Sequence, residues 1–253
     1  MKAVILAGGR GVRLRPLTDF VAKPLLPIRG RPAIGQIIEN LCSAGIEEIC
    51  IVLGHLGDQV IHFIGDGSNF GCKITYREQK EQLGMAHALS TAEDFIGEDG
   101  LVMASDCILP EEHLKELIKF HFDEKCDATL SLKELDEEEM LSSSTVKCEE
   151  DMTISQIIEK PARGEILSNL ACSPLYIFKD IKGYLPKVRK SKRGEFEIQD
   201  AIQRMIDDGL IVKGVISESF SHLSTIEDFL RLNFDYLDEE NYFSRKRKVG
   251  VER

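Results

Sequence analysis

Short apolar runs alternate with amphipathic stretches along the first half of the chain. The apolar runs have the length of buried strands, and the stretches between them carry apolar residues at helical spacing. The predicted strands cover residues 3–7, 49–53, 73–78, 101–104 and 128–132. The predicted helices cover residues 33–44, 57–63, 84–94 and 111–124. This βαβα order predicts a largely parallel sheet with helices on both faces, whose loops meet at the carboxyl edge of the strands.

The second half of the chain has a different character. An acidic segment at 134–144 predicts a mobile surface connection. Beyond it, the pattern predicts a hairpin, a strand, a helix and a last strand, at residues 146–148 against 154–158, 175–178, 197–208 and 211–216. We therefore expect an α/β fold, a Rossmann-like, mixed but mostly parallel sheet flanked by helices, with these later elements forming a smaller α+β portion. One domain should cover residues 1–235, with halves at about 1–133 and 145–230, and a charged tail should cover 236–253.

The residues after the first predicted strand have the composition of an anion-binding loop. The glycines and cations concerned are Gly8, Gly9, Arg10, Gly11, Arg13, Arg15 and, a little later, Lys23. Glycines let the backbone turn sharply, so that its exposed amides can face an anion. Guanidinium forks and an ammonium both suit phosphate oxygens. The alternative is an ordinary strand-to-helix connection with surface arginines. The loop is not a Walker loop, because no Gly-Lys-Ser/Thr follows at the required spacing.

Charge and composition exclude several classes of function. The formal net charge of −11 argues against a nucleic-acid partner, because such binding needs a basic surface. The seven scattered cysteines predict reduced thiols, with neither a zinc site nor a disulfide framework. The apolar runs are far too short to span a membrane, and the chain enters its first strand without a signal peptide. We expect no membrane partner and a cytoplasmic location, and the oligomeric state stays open, with a homo-oligomer as one alternative.

The stretch from Gly8 to Thr18, with Lys23 and Pro24 after it, resembles the signature of the sugar-nucleotidyltransferase family, the nucleoside-diphosphate-sugar pyrophosphorylases. The family loop reads Gly-Gly-x-Gly-x-Arg-Leu-x-Pro-Leu-Thr, and here Val12 stands where Thr or Ser is usual. Within this family, the chain most resembles the glucose-1-phosphate thymidylyl- and uridylyltransferases. The resemblance implies that a nucleoside triphosphate, dTTP or UTP, reacts with a sugar 1-phosphate to give an NDP-sugar and pyrophosphate. It implies Mg²⁺ as cofactor, with Mn²⁺ as an alternative.

The resemblance places nucleotide binding in the first half of the chain. Gln79 and Gly84 match the family's base-reading turn, and a side-chain amide suits the paired donor and acceptor of uracil or thymine. A polar helix start, with Gly84 as a turn residue, is the alternative. The residues expected to bind the nucleotide are Leu6, Ala7, Gly8, Gly9, Gly11, Gln79 and Gly84.

The catalytic and acceptor residues follow from two further motifs. Asp106 comes after the apolar run 101–104, where a carboxylate suits Mg²⁺ beside phosphates, although it could instead cap the next helix. The sequence Glu-Lys-Pro at 159–161 resembles the family motif whose lysine contacts the sugar phosphate. The expected catalytic residues are Arg13, Lys23, Asp106 and Lys160. The expected acceptor-binding residues are Thr145, Glu159, Lys160 and Cys172.

The chain departs from the family pattern on the acceptor and metal sides. Thr145 falls where a glycine is expected, and Cys172, followed by Ser and Pro174, replaces the usual Asn-x-Gly. His222 stands where the family has its second magnesium-binding aspartate. Imidazole is a poor Mg²⁺ ligand, so three alternatives remain. Asp106 and the phosphates hold the ion alone, a softer ion such as Mn²⁺ is used with His222 as a ligand, or the site is impaired.

Three functions are therefore compatible with the sequence. The leading hypothesis is an active nucleotidyltransferase, with Arg13 and Lys23 holding the leaving pyrophosphate, Asp106 placing the metal and Lys160 steering the acceptor. The second is a catalytically weakened regulatory subunit that binds a nucleotide or an NDP-sugar. The third is a cytidylyltransferase that acts on a non-sugar phosphate such as an alcohol phosphate.

Overall fold

The computed structural model describes residues 1–217 and 221–234. The strands are β1 Ala3–Ala7, β2 Pro27–Ile28, β3 Arg31–Pro32, β4 Glu48–Leu53, β5 Lys73–Glu78, β6 Gly100–Ala104, β7 Cys107–Ile108, β8 Ala128–Glu134, β9 Ser144–Cys148, β10 Ile154–Glu159, β11 Leu170–Phe178, β12 Val212–Ile216 and β13 Ser221–His222. The α-helices are α1 Ala33–Ser43, α2 Gly57–Ile64, α3 Met85–Ser90, α4 Glu111–Asp123, α5 Glu137–Met140, α6 Ile198–Asp207 and α7 Ile226–Asn233.

The main sheet has seven strands in the order β12-β8-β11-β6-β1-β4-β5. Strand β11 is antiparallel to both of its neighbours, and the other pairs are parallel. The predicted class, a mixed and mostly parallel sheet flanked by helices, is confirmed. Because β1 lies between β6 and β4, its carboxyl end and the glycine loop lie near the centre of the sheet edge.

Helices cover both faces of the sheet and enclose two main clusters of apolar side chains. Successive strand residues point to opposite faces, so Val4 and Ile5 of β1 belong to different clusters. The cluster under α1, α2 and α4 includes Ile5, Ile34, Ile38, Ile51 and Leu117. The cluster under α3 and α6 includes Val4, Leu89, Val102, Leu130 and Ile202. Burial on both faces explains why the central strands β1, β4 and β6 are almost entirely apolar.

The later strands do not all form a separate portion, as their position in the chain had suggested. The hairpin of β9 and β10 is confirmed as a two-stranded unit, but β11 and β12 join the main sheet. Pro174 lies in β11 where the register with β8 breaks, between Cys172 and Tyr176. Proline has no N–H to donate, so a break in the ladder accommodates it. Alternation of apolar and polar residues predicts a strand, but it does not identify the strand with which that strand pairs.

Other differences concern helices. The acidic segment 134–144 was predicted as a mobile connection, but it contains α5, whose capping box joins Asp136 and Glu139 and whose Met140 is buried. Helix α3 ends at Ser90 rather than at Asp94, and the predictions missed α7. Within the described residues, every helix is too short or too polar to cross a lipid bilayer. The predicted tail at 236–253 lies outside those residues.

Candidate functional site

A cleft of about 1200 Å³ opens at the carboxyl edge of the central strands. It gathers most of the predicted site residues, although they come from distant parts of the chain. The predicted residues that line it are Leu6, Gly8, Gly9, Arg13, Lys23, Gln79, Gly84, Asp106, Glu159, Lys160, Cys172 and His222. Ala7, Gly11 and Thr145 are not part of its lining.

Gly8 in the glycine loop lies close to neighbouring segments, whereas a Cβ on Gly9 would meet nothing within 4 Å. A Cβ on Gly8 would lie 2.5 Å from Oε1 of Gln79, and a Cβ on Gly54 would lie 2.3 Å from the carbonyl oxygen of Gly8. In this loop, only Gly11 has a left-handed backbone, with φ of 63°, and its carbonyl accepts a hydrogen bond from Thr18 Oγ1 at 2.8 Å. Gly8 and Gly9 are not among the residues with positive φ, so of the three predicted turn glycines only Gly11 adopts a conformation that favours glycine.

Lys23 and Asp106 form an ion pair in the cleft, in which Lys23 Nζ donates to Asp106 Oδ2. Burial by itself would raise the pKa of Asp106, but the charge of Lys23 and the hydrogen bond that Lys23 donates act in the opposite direction, and the pKa lies below its usual value. Asp106 is therefore a carboxylate at neutral pH. It does not cap the following helix, because the residue at the N-cap of α4 is Pro110.

His222 lies beside Asp106 because β13 pairs with β7. The strand pairing places His222 opposite Cys107, and the N–H of Leu223 donates to the carbonyl of Asp106 at 3.0 Å. Burial lowers the pKa of His222 to about 4, and the negative charge of Asp106 only partly opposes that effect. At neutral pH, the cleft therefore presents an uncharged imidazole next to an ionised carboxylate. Phe220, which belongs to the same family motif, lies outside the described residues.

The residues around Asp106 fit a divalent ion that arrives together with phosphate. Among residues 1–217 and 221–234, no three His, Cys, Asp or Glu side chains converge as they would around a metal held by protein alone. Mg²⁺ often uses one or two carboxylates and takes its other ligands from substrate phosphates and water. The partly buried carboxylate of Asp106 satisfies this requirement, whereas the imidazole of His222 does not favour Mg²⁺.

Gln79 is held firmly at the floor of the cleft. Its side chain is 4 % exposed, and Nε2 lies 3.2 Å from both the carbonyl oxygen of Gly84 and Nδ1 of His87. Gly84 has φ of 100°, and a Cβ there would lie 2.5 Å from the carbonyl oxygen of Phe196. The backbone N–H of Phe196 donates to the carbonyl of Leu83, and the carbonyl of Phe196 accepts from the N–H of Ala86. These contacts join the turn at 79–86 to the second half of the chain across the cleft.

Glu159 and Lys160 lie at the end of β10 on the opposite wall. Lys160 has φ of 46°, in the left-handed region, and backbone strain of this kind is concentrated at functional sites. Burial and the nearby charge of Glu197 raise the pKa of Glu159 to about 7, although Lys160 and Arg193 oppose the shift. Arg193 Nη2 lies 2.6 Å from Glu197 and 3.6 Å from Glu159, so the guanidinium links the two acids.

Of the predicted acceptor-binding residues Thr145 and Cys172, only Cys172 lines the cleft. Thr145 is fully buried, and its Oγ1 accepts from the N–H of Leu167 at 3.1 Å, so its side chain stabilises the neighbouring loop. Its neighbour Ser144 lines the cleft and accepts a hydrogen bond from the N–H of Cys172. Burial raises the pKa of the Cys172 thiol well above its usual value, so the sulfur in the cleft wall is neutral.

The sequence analysis assigned no role to Lys133, which also lines the cleft. Lys133 is a charged residue at the carboxyl end of a buried apolar strand, and this is the same signal that identified Asp106. The signal was present in the sequence, but it has no counterpart in the family motifs. Arg193 was also not among the predicted site residues, and its contacts with Glu159 and Glu197 place it next to the cleft.

Comparisons with known proteins identify the family of the chain. The profile of the family described as nucleotidyl transferase matches residues 2–239. The chain is 34% identical to the low-salt glycan biosynthesis nucleotidyltransferase Agl11 of Haloferax volcanii, over 97% of this chain and 68% of that protein. It is also 34% identical to a glucose-1-phosphate thymidylyltransferase of Streptomyces griseus, over 92% of this chain and 65% of the relative. It thus spans about two thirds of the length of both relatives.

A third relative and two solved structures each match most of this chain. The UTP-glucose-1-phosphate uridylyltransferase AglF of Haloferax volcanii is 34% identical over 85% of this chain and 87% of its own length. A Bacillus anthracis protein described as a glucose-1-phosphate thymidylyltransferase, solved with sucrose, superposes with a TM-score of 0.82 at 30% identity, covering 94% of this chain and 96% of its own. A UDP-glucose pyrophosphorylase complexed with UDP-glucose gives a TM-score of 0.80 at 25% identity, over 96% and 98% of the two chains. The chain therefore belongs to the sugar nucleotidyltransferase family.

Proposed function

We propose that the protein transfers a nucleotidyl group from a nucleoside triphosphate to a sugar 1-phosphate, with release of pyrophosphate. The observation that carries the proposal is the convergence of Arg13, Lys23, Asp106 and Lys160 on one cleft. Three cations and one carboxylate, drawn from separate segments, suit a reaction in which two phosphate-bearing substrates must be brought together. Family membership supports the same reaction.

In the proposed reaction, an oxygen of the acceptor phosphate attacks the α-phosphorus in line. A new P–O bond forms as the bond to the β-phosphate oxygen breaks, and the electron pair leaves with pyrophosphate. Lys160 reduces the repulsion between the two phosphates, while Arg13 and Lys23 offset the charge that develops on the leaving group. Asp106 would hold the Mg²⁺, which supplies further charge neutralisation when it is bound. The remaining contribution is positioning, because no covalent enzyme intermediate is needed.

A pyrimidine nucleotide, UTP or dTTP, is the proposed donor. Gln79 and Gly84, which match the family's base-reading turn, both line the cleft. The names of two relatives, a thymidylyltransferase and a uridylyltransferase, support this choice of base. Both names also specify glucose 1-phosphate, which makes a hexose 1-phosphate the first acceptor to test.

The experiment is pyrophosphate release from a panel of nucleoside triphosphates and sugar 1-phosphates in the presence of Mg²⁺. We expect turnover with UTP or dTTP, and a loss of about 100-fold or more in Asp106→Asn and in Lys23→Gln, since each removes a charge at the reacting phosphates. Asp123→Asn is the matched control, because Asp123 is an exposed acid on α4. Near-normal turnover in purified Asp106→Asn would refute the metal assignment.

A second candidate is a regulatory subunit that binds nucleotide without efficient turnover. It is favoured by the neutral imidazole of His222 beside Asp106, which leaves one carboxylate for a metal. If the wild-type protein binds UTP or dTTP but releases no pyrophosphate with any sugar 1-phosphate in the panel, this candidate replaces the first.

A further inference from the structure

Lys133 lies at the same edge of the sheet as Asp106, two strands away. Tyr176 of β11 pairs with Val102 of β6 on one side and with Leu130 of β8 on the other. Asp106 comes three residues after Met103, which pairs with Leu175, and Lys133 pairs with Ala171 four residues before Leu175, so both lie at similar height toward the same edge of the sheet. Two strand spacings separate their backbones by about 10 Å, a gap that a phosphate group and a lysine side chain can fill together.

The side-chain direction of Lys133 follows from the alternation along β8. Thr129 and Ser131 point toward α4, where they make hydrogen bonds with His121 and His113. Lys133 lies on the same face of β8, two residues after Ser131, and it lines the cleft. The charge of Lys133 interacts with the charge of Asp106. Lys133 is therefore close enough to influence a ligand bound at the proposed reaction centre.

Lys133 is half-buried, which makes its ammonium different from a surface lysine. Loss of water around the ammonium lowers the pKa of Lys133, while nearby acids, Glu139 foremost, act in the opposite direction. An ammonium with reduced hydration interacts more strongly with an anion than one in bulk water. The nearby acids Glu139, Asp228 and Asp106 partly balance the charge of Lys133.

The charges at this edge of the sheet are arranged in a row. Lys23 approaches Asp106 from the β1 side and is paired with it, His222 is uncharged, and Lys133 approaches from the β8 side. A phosphate bound near Asp106 would therefore meet positive charge from two directions. Lys133 adds its charge on the side that Lys23 does not serve.

We propose that Lys133 is a phosphate-binding residue of the cleft, whose ammonium contacts the phosphate of a bound nucleoside triphosphate or sugar 1-phosphate. The inference rests on the proposed function, because its ligands are the proposed substrates. It adds a binding residue on β8 to the cations of the glycine loop and to Lys160. Either substrate would bring the same phosphate oxygens to the ammonium, and the two are distinguished by measuring them separately.

The test is binding by isothermal titration calorimetry with UTP, dTTP and glucose 1-phosphate, each in EDTA so that no metal contributes. Lys133→Met should raise the Kd of at least one of these ligands by about tenfold, as expected for the loss of one charge-assisted hydrogen bond. Lys133→Arg should stay within about threefold of wild type, because a guanidinium also binds phosphate. The matched control is Lys147→Met, which removes the same charge from an exposed position on β9 outside the cleft.

Salt dependence separates contact with phosphate from a structural role. If Lys133 meets a phosphate, Kd should rise less steeply with salt concentration in Lys133→Met than in wild type, whereas a packing defect would leave the slope unchanged. Lys133→Gln, which keeps a polar side chain, is measured in parallel so that the test survives misfolding of the Met variant. Unchanged Kd values and slopes in whichever variant retains its fold would overturn the inference.

The outcome for Lys133 is separable from the outcome for the proposed function. Turnover by the wild-type protein, together with unaltered binding in Lys133→Met, overturns the role of Lys133 and leaves the proposed function intact. Absence of turnover by the wild type, together with weakened phosphate binding in Lys133→Met, supports the role of Lys133 and overturns the proposed catalysis. Absence of binding of UTP, dTTP and glucose 1-phosphate by the wild type, together with absence of turnover in Mg²⁺, overturns both.

Discussion

Replacement of Glu159 by glutamine should make the protein more stable above neutral pH. The side chain of Glu159 lies in the cleft wall with 19% of its area exposed. Burial first, and then the negative charge of Glu197, raise its pKa from 4.5 to about 7. Arg193 and Lys160 oppose this effect without cancelling it. Glutamine has nearly the same shape, but it carries no charge at any pH in the physiological range.

The sign and size follow from proton linkage. Between pH 4.5 and about 7, the folded protein keeps a proton on Glu159 that the unfolded chain has released, so stability decreases as the pH rises through that window. Each tenfold difference in proton affinity corresponds to about 1.4 kcal/mol, so the full penalty above the folded pKa approaches about 3 kcal/mol. In Glu159→Gln, residue 159 has no proton to release, so this loss of stability with rising pH does not occur. The advantage of this variant over wild type should therefore grow with pH and then level off.

The measurement is urea unfolding of both proteins, followed by far-UV circular dichroism at several pH values from about 5 to about 8. The difference in unfolding free energy should increase by about 2 to 3 kcal/mol over that range. Glu150→Gln, at an exposed position after β9, serves as the control and should show a constant difference. A constant difference for Glu159→Gln as well would refute the reasoning from burial and from Glu197.

Two further predictions concern the backbone around the site. Gly84→Ala should destabilise the fold by about 2 kcal/mol or more, because its φ is 100° and the new Cβ would meet Phe196, whereas Gly97→Ala, at an open position, should change little. Thr225→Ala should cost about 1 kcal/mol, because Thr225 Oγ1 accepts from the N–H of Asp228 in the capping box of α7. Urea unfolding measures both effects.

The control variants decide how these results are interpreted. Equal stability losses in Gly84→Ala and Gly97→Ala would contradict the steric explanation, because only Gly84 has a neighbour within contact distance of the new Cβ. For the cap, Thr225→Ser retains a hydroxyl and should remain close to wild type. A loss in Thr225→Ser as large as that in Thr225→Ala would show that the methyl group, and not the hydrogen bond, stabilises α7.

The local features of the site were accessible from the sequence. The buried strand β1, the glycines and cations after it, and Asp106 after β6 are each recognisable within a few residues, because strand ends and loops depend on near neighbours. The alternation of strands and helices was sufficient to predict the fold class. The same local reasoning also placed Gln79 and Gly84 at the end of β5, where the structure has them in the cleft.

Register was not accessible in the same way. In the β9–β10 hairpin, Glu159 pairs with Ser144, and Thr145 pairs with Ile158. Successive side chains of a strand point to opposite faces, so a change of one residue moves a side chain from the cleft to the interior. Spacing along the chain indicated Thr145, but Ser144 is the residue that lines the cleft.

Residue order alone was enough to identify the buried strands of the first half and the loop in which glycines and cations concentrate, because these properties depend on composition over a few neighbouring residues. Only the tertiary structure decided that β11 inserts between β6 and β8, that β13 brings His222 to Asp106, and that Lys133 lies in the same cleft. The physical reason is that strand pairing depends on packing between segments far apart in the chain. Many partners satisfy the same apolar pattern, and the enclosed core selects one arrangement among them.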